Sequence, residues 1–217
     1  TEIKNIINTN EEIPENIIEE KQQTTTKKEV KNRDLASLLN TNADTVGWLT
    51  IKNTNIDYSV VQTTDNEFYL HHNFYKNESN AGWVFMDYRN NSVDLDDNTI
   101  LYGHNRYYNG TMFGTLNNVL NKSWYTNESN LMISFKTLYN SMEWRIFSIY
   151  KIPVTTDYLT IRFKNDTDRL VFYQIIQERS LFDLGVTMKG TDKILTLSTC
   201  TTDGGRLVVH AVLVNEE

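Results

Sequence analysis

The chain holds one cysteine, and the residues around it are of the types that carry out acyl transfer. Cys200 closes the apolar run Ile194-Leu195-Thr196-Leu197-Ser198-Thr199 and is followed by Thr201-Thr202-Asp203-Gly204-Gly205, a turn signal. A second apolar run then opens with Arg206-Leu207-Val208-Val209. Strand, tight turn and strand at this spacing make a hairpin with a thiol ending one strand and a guanidinium opening the next. A cation beside a thiol favours the nucleophilic thiolate and can also stabilise an oxyanion. Far upstream, Tyr102-Gly103-His104-Asn105 follows Thr99-Ile100-Leu101. An imidazole at a strand end, with a reference pKa of about 6.5, suits general acid/base work near neutrality. Each residue alone has an ordinary alternative. Cys200 could cap a core strand, Arg206 could be a solvated charge, and His104 could bond a backbone carbonyl. The joint pattern favours chemistry, because all three stand at strand–loop junctions where a rigid scaffold aims functional groups.

The elements that must position them are mostly β. Trp48–Ile51, Ile56–Gln62, Gly82–Met86, Thr99–Tyr102, Leu131–Phe135, Glu143–Ile152, Lys193–Thr199 and Arg206–Val214 are short runs rich in β-branched and aromatic residues. Asn-, Asp- and Gly-rich connections separate them, the signature of a closed barrel or a sandwich. Helical periods interrupt the strands at residues 66–70, 112–120 and, most clearly, Asp166–Phe182, where Leu170, Tyr173, Ile175 and Ile176 form a stripe. Leu35, Leu38 and Leu39 predict a short amphipathic helix begun near Asp34. Residues 1–32 are polar, broken by Pro14, and read as a solvated tether ahead of a domain spanning 33–217.

Composition narrows the function. At 217 residues, 39% hydrophobic, with 12 Tyr, 9 Phe and 4 Trp, the chain can bury one substantial core. A net charge of −7 argues against nucleic acid as a partner. One thiol excludes an internal disulfide and a Cys-based zinc site, and nothing calls for a metal or another cofactor. His71 and His72 are adjacent and diverge, so they share no metal. His210, in the last strand, reads as structural. Asp94, Asp96 and Asp97 lack the calcium-loop pattern and read as a solvated acidic loop. Tyr88, Tyr107, Tyr108 and Trp124 could line a peptide groove, with core or surface packing equally open.

Thr196-Leu197-Ser198-Thr199-Cys200 resembles the TLxTC signature of sortases, the bacterial cell-surface transpeptidases. Its Ser198 and the following Gly205-Arg206-Leu207-Val208-Val209-His210-Ala211 are similar to the class B branch. Upstream, Asn42-Ala43-Asp44-Thr45-Val46-Gly47-Trp48-Leu49-Thr50-Ile51, Ile56-Asp57-Tyr58-Ser59-Val60-Val61-Gln62, Asp65-Asn66-Glu67-Phe68-Tyr69-Leu70 and Gly82-Trp83-Val84-Phe85-Met86-Asp87 also look like class B segments. Many relatives carry proline where Ser59 stands. Tyr102-Gly103-His104-Asn105, with Met112-Phe113 behind it, resembles the catalytic-histidine region. The likeness covers roughly residues 33–214. One departure is the short loop from Cys200 to Arg206, and no other Arg follows the thiol.

The resemblance implies a mainly β fold: a closed eight-stranded barrel with N-terminal helices and one long helix before the penultimate strand. It implies that a sorting-signal peptide of the Asn/Ser-Pro-x-Thr-Gly/Asn type docks in a groove and that Cys200 attacks its threonine carbonyl. His104 would protonate the leaving amine and then deprotonate the amine of a cell-wall peptide, while Arg206 holds the oxyanion with a backbone N–H near Cys200. Ser198, two residues before the thiol and so on its face of the strand, is a candidate partner of Arg206 or the substrate, with an ordinary strand serine as the alternative. Thr199, Thr201 and Asn105 are the other expected substrate contacts. The enzyme would work at the extracytoplasmic face of the membrane, attached only through an N-terminal anchor preceding the tether. The same residues could serve a cysteine endopeptidase with water as acceptor, and a non-catalytic surface-binding barrel is the alternative of a different class.

Overall fold

In the computed structural model, which describes residues 30–217, eight strands close into a barrel in the order β1-β2-β3-β4-β9-β10-β8-β7. These are β1 (Thr45–Ile51), β2 (Asp57–Val61), β3 (Phe85–Met86), β4 (Asn98–Tyr102), β7 (Met132–Thr137), β8 (Ser141–Ile152), β9 (Ile194–Cys200) and β10 (Arg206–Glu216). β5 (Asn105–Arg106) and β6 (Thr111–Met112) form a separate two-stranded hairpin. β4 runs parallel to β9 with Tyr102 opposite Ser198, and β9 runs antiparallel to β10 with Cys200 opposite Arg206. The closed, mainly β architecture matches the expectation. The short hairpin was not foreseen, because two-residue strands carry no periodicity.

Alternation along the strands decides which side chains fill the barrel and which face outward. Leu195 and Leu197 of β9, with Leu207, Val209 and Ala211 of β10, join Leu49, Ile51 and Trp144 in the interior. The alternate positions Ile194, Val208 and Val212 pack outward with Phe172, Tyr173 and Ile176 of the long helix α4 (Asp166–Glu178). Cys200 is in phase with Ile194 and Ser198. The thiol therefore sits on the outer face of a barrel whose interior is fully packed.

Among the described residues, three smaller α-helices complete the frame: α1 (Arg33–Ser37), α2 (Phe68–His71) and α3 (Lys122–Tyr125). α1 runs on as a single 3₁₀ turn over Leu38–Asn40, and the backbone N–H groups of Lys31 and Asn32 just before it donate to the Leu138 carbonyl. Residues 1–29 of the expected tether lie outside the described residues. Asn165 caps α4 by accepting from the Asp168 N–H at 2.9 Å, with Asp166 and Asp168 in the first turn. The helix stops four residues earlier than its apolar pattern suggests. Ser180 N donates to Gln177 O, and Leu181 N crosses to Ile149 O of β8 at 2.8 Å. Of the predicted stripe, Tyr173 and Ile176 are buried, while Ile175 faces solvent and Phe172 takes its place.

Two expectations are corrected. The Gly82–Met86 strand shrinks to Phe85–Met86, because Gly82 takes a left-handed turn (φ +57°) that folds Trp83 N onto the Tyr69 carbonyl. The acidic loop is solvated only at Asp94. Asp96 is buried and accepts from Arg162 Nε at 2.6 Å, from Asn90 Nδ2 and from Asn91 N–H, while Asp97 pairs with Arg169 at 2.9 Å. These pairs tie the residues just before β4 to α4 and to the segment leading into it, a contact invisible to local sequence pattern.

Candidate active site

Cys200 ends β9 as an exposed free thiol, directly across the ladder from Arg206. Cross-strand partners lie on one face, so thiol and guanidinium share the outer surface of the barrel. Both line a cavity of ≈ 250 Å³ with Ser198 and Thr199, walled by Leu70, Phe85, Tyr102, Tyr158 and Leu159. Arg206 Nη1 donates to the Gly205 carbonyl at 3.1 Å. Thr201 N–H donates to the same carbonyl at 3.0 Å, so the backbone N–H just after the thiol is already engaged.

The segment bearing His104 is joined to the end of β9 from both sides. Thr199 Oγ1 donates to the Gly103 carbonyl at 2.7 Å, and Asn105 Nδ2 donates to the Cys200 carbonyl at 2.8 Å. The residues flanking the imidazole thus bond to the thiol residue and its neighbour. The ring is held by Nε2, 2.8 Å from the Leu70 carbonyl. A carbonyl only accepts, so Nε2 carries a hydrogen and Nδ1 is the nitrogen left to exchange protons. Gly82 backs the ring: a Cβ there would come 2.9 Å from His104 Cδ2 and 2.5 Å from Tyr69 O. Only glycine lets the turn lie this close.

Ser198 finds a partner that the sequence did not offer. Its hydroxyl lies 2.9 Å from that of Tyr158, beside the expected partners, Arg206 or the substrate. Tyr158 sits in the long excursion between β8 and α4. Burial pushes its phenol up, only partly offset by the Ser198 hydrogen bond and the Arg206 charge, so it stays protonated. Behind the groove, buried Asp87 organises one wall. It accepts from Arg89 Nε and Nη2 at 2.9 and 2.8 Å, from the Tyr102 hydroxyl at 2.9 Å and from Asn66 Nδ2 at 3.1 Å. Burial alone would raise this carboxyl, but the Arg89 and Tyr102 hydrogen bonds hold it below its ordinary range.

The other predicted positions separate. Thr201 turns its hydroxyl to the Asp203 carboxylate, facing a different cavity bordered by Lys151 and Pro153. Tyr88 lines a continuation of the groove past Asn66, Thr156 and Leu159. Trp124 belongs to the core, and Tyr107 and Tyr108 stand exposed beside the hairpin turn. His210 is fully buried between Tyr150 and Thr196, as its structural reading required. His72 stacks on Phe68 at 4.0 Å. A cavity of ≈ 560 Å³ at Leu35, Leu38 and Trp48 holds none of the reactive groups. Tyr158, Asn66 and the Leu70 carbonyl were missed from sequence. A backbone carbonyl has no residue signature, and the two side chains reach the groove only through long-range packing.

Comparison with known proteins agrees with this geometry. The family model for the sortase domain matches residues 49–214. Sortase B of Listeria monocytogenes is 38% identical over 188 residues, covering 85% of this chain and 74% of that protein. The sortase B structure of Bacillus anthracis superposes with a TM-score of 0.79 at 36% identity, covering 87% of this chain and 88% of that one. Sortase B of Staphylococcus aureus, in a structure described as a substrate complex, gives 0.79 at 32% identity over 92% and 91% of the two chains. With an eight-stranded barrel that carries its free thiol beside an arginine, the chain belongs to the sortase family, in its class B branch, and is a sortase-type cysteine transpeptidase.

Proposed function

We propose that the enzyme cleaves a C-terminal sorting signal of the Asn/Ser-Pro-x-Thr-Gly/Asn type after its threonine and transfers the protein to a cell-wall peptide amine. The observation that carries this reading is the direct pairing of Cys200 and Arg206, with the His104 segment bonded to the same strand end. The Staphylococcus aureus relative, described as a substrate complex, supports a peptide in the groove.

In this mechanism the Cys200 thiol passes its proton to His104 Nδ1, the resulting thiolate attacks the threonine carbonyl carbon, and the oxyanion is held by the Arg206 guanidinium. Thr201 N–H, engaged with Gly205 O, leaves that charge to Arg206. His104 Nδ1 gives its proton to the departing amine as the C–N bond breaks, leaving a thioester on Cys200. The acceptor amine then loses a proton to Nδ1, attacks the thioester, and releases the thiolate. Ser198 and Tyr158 shape the groove beside the thiol, and Thr199 and Asn105 hold the His104 segment in register. In the same reading residues 1–32 form the tether, residues 33–217 the catalytic unit, and an N-terminal anchor places it at the extracytoplasmic face of the membrane.

Mass spectrometry of a panel of such peptides, with and without diaminopimelate or oligoglycine, tests the proposal. The expected result is cleavage after threonine and an amine-joined product, abolished in Cys200→Ala. In Arg206→Ala, kcat should fall by roughly 10²–10³, the usual loss for one oxyanion donor. Cleavage with no ligation to any amine would make water the acceptor and overturn the transfer step.

A further inference from the structure

Asn117 stands behind the pair of residues that joins His104 to the thiol, on the 3₁₀ helix Gly114–Leu120. Asn105 donates from Nδ2 to the Cys200 carbonyl at 2.8 Å, and its Oδ1 accepts from Asn117 Nδ2 at 3.1 Å. Asn117 Nδ2 uses its other hydrogen on the Gly114 carbonyl at 3.0 Å. Chemistry dictates these orientations. The Cys200 and Gly114 carbonyls only accept, so each must face an amide nitrogen, and the oxygen of Asn105 is left to face a donor. A reversed Asn105 amide would set oxygen against oxygen at the carbonyl of the thiol residue. The same peptide unit is held at its far end by Thr201 N–H donating to Gly205 O at 3.0 Å.

We propose that Asn117 is a positioning residue for the transpeptidation: through Asn105 it locks the Cys200–Thr201 peptide plane, and with it the direction in which the thiol leaves its strand. The inference rests on Cys200 being the nucleophile. Cys200 is the last residue of β9, and the turn beyond it contains Gly204 at φ +88° and Gly205. On the β4 side, where the parallel pairing ends at Tyr102 and Ser198, the carbonyl end of the plane therefore takes its support from a side chain. Reacting atoms misplaced by about 1 Å lose on the order of 10²-fold in rate, so a partial loosening has a measurable cost.

The test is a double-mutant cycle on kcat and KM for a cleaved signal peptide. Asn117→Ala should lower kcat about tenfold with KM held within about twofold, because the plane and not the peptide groove is disturbed. Asn117→Asp keeps the size but cannot donate, and should lose at least as much; it also serves if the alanine variant folds poorly. In an Asn105→Ala background neither change should lower kcat further, since the path to Cys200 is already cut. Equal losses in both backgrounds, or none from either variant, would overturn the relay. Cys200→Ala runs in the same series. Its inactivity beside an unaltered Asn117→Ala sinks the relay alone, whereas retained cleavage in Cys200→Ala sinks the nucleophile and the relay together.

Discussion

A carbonyl oxygen cannot donate, and that constraint decides which nitrogen of His104 moves protons. With Leu70 O 2.8 Å from Nε2, the neutral imidazole keeps its hydrogen on Nε2 and takes up or releases the second one at Nδ1. Nitrogen-15 NMR of the resting enzyme should find neutral His104 in the Nε2–H tautomer. The opposite tautomer would detach the ring from Leu70 and remove this account of the proton path. The same reasoning orders the Ser198–Tyr158 pair only in part, because either hydroxyl can donate. What is definite there is that Tyr158 stands beside Ser198, a partner that the sequence alone did not offer.

Among elements, the decisive contact is between β9 and the turn after β4. These strands are parallel neighbours, so their ends arrive together, and Thr199 closes the gap with its bond to Gly103 O. Thr199 and Gly103 are both buried, so the carbonyl has no water to fall back on. Thr199→Val keeps the shape and removes the donor. It should cost about 1–3 kcal/mol in denaturant unfolding, the penalty for a stranded buried acceptor. It should also lower kcat, because His104 follows Gly103 directly. Unchanged stability together with unchanged kcat would show that this bond constrains neither element. Gly82 and the Asp87–Arg89 pair act from the other wall, one by leaving room for the ring and the other by fixing Asn66 and Tyr102.

On the scale of the molecule, a buried polar chain runs across four neighbouring barrel strands, β8, β10, β9 and β4. Tyr150 OH lies 2.9 Å from His210 Nε2, Thr196 Oγ1 lies 2.8 Å from His210 Nδ1, and Thr196 donates to Asn98 Oδ1 at 2.6 Å. Thr196 has given its hydrogen to Asn98, so His210 donates from Nδ1 and accepts from Tyr150 at Nε2. Burial, with a smaller push from Arg179, takes the imidazole down to about 3. The folded protein thus keeps this ring neutral, while the unfolded chain binds a proton below about 6.5. Stability is full above that pH and declines as pH falls toward about 3, at up to roughly 1.4 kcal/mol per unit. Asp87, held below its ordinary range, adds to the loss only below about pH 4. Urea unfolding between pH 6.5 and 4.5 should therefore show a slope that His210→Gln largely removes. A variant slope as steep as the parent's would assign the effect elsewhere.

Much of this protein follows from local pattern. Alternation and turn residues mark where the barrel strands lie, overdrawing the one at Phe85–Met86, and the turn between Cys200 and Arg206 already sets thiol against guanidinium, because a hairpin's register is decided by its own residues. The run before Cys200 and the segment around His104 carry enough identity to place the family. Tertiary structure alone decided the rest. That Ser198 meets Tyr158, that Asp96 is buried on Arg162, that Trp124 belongs to the core, and that Asn105 faces Cys200 all depend on partners distant in the chain. So does the hold of Leu70 on His104, which passes through a backbone atom that every residue possesses. Side-chain periodicity records which face is apolar; it does not record which polar group waits across the gap when the barrel closes.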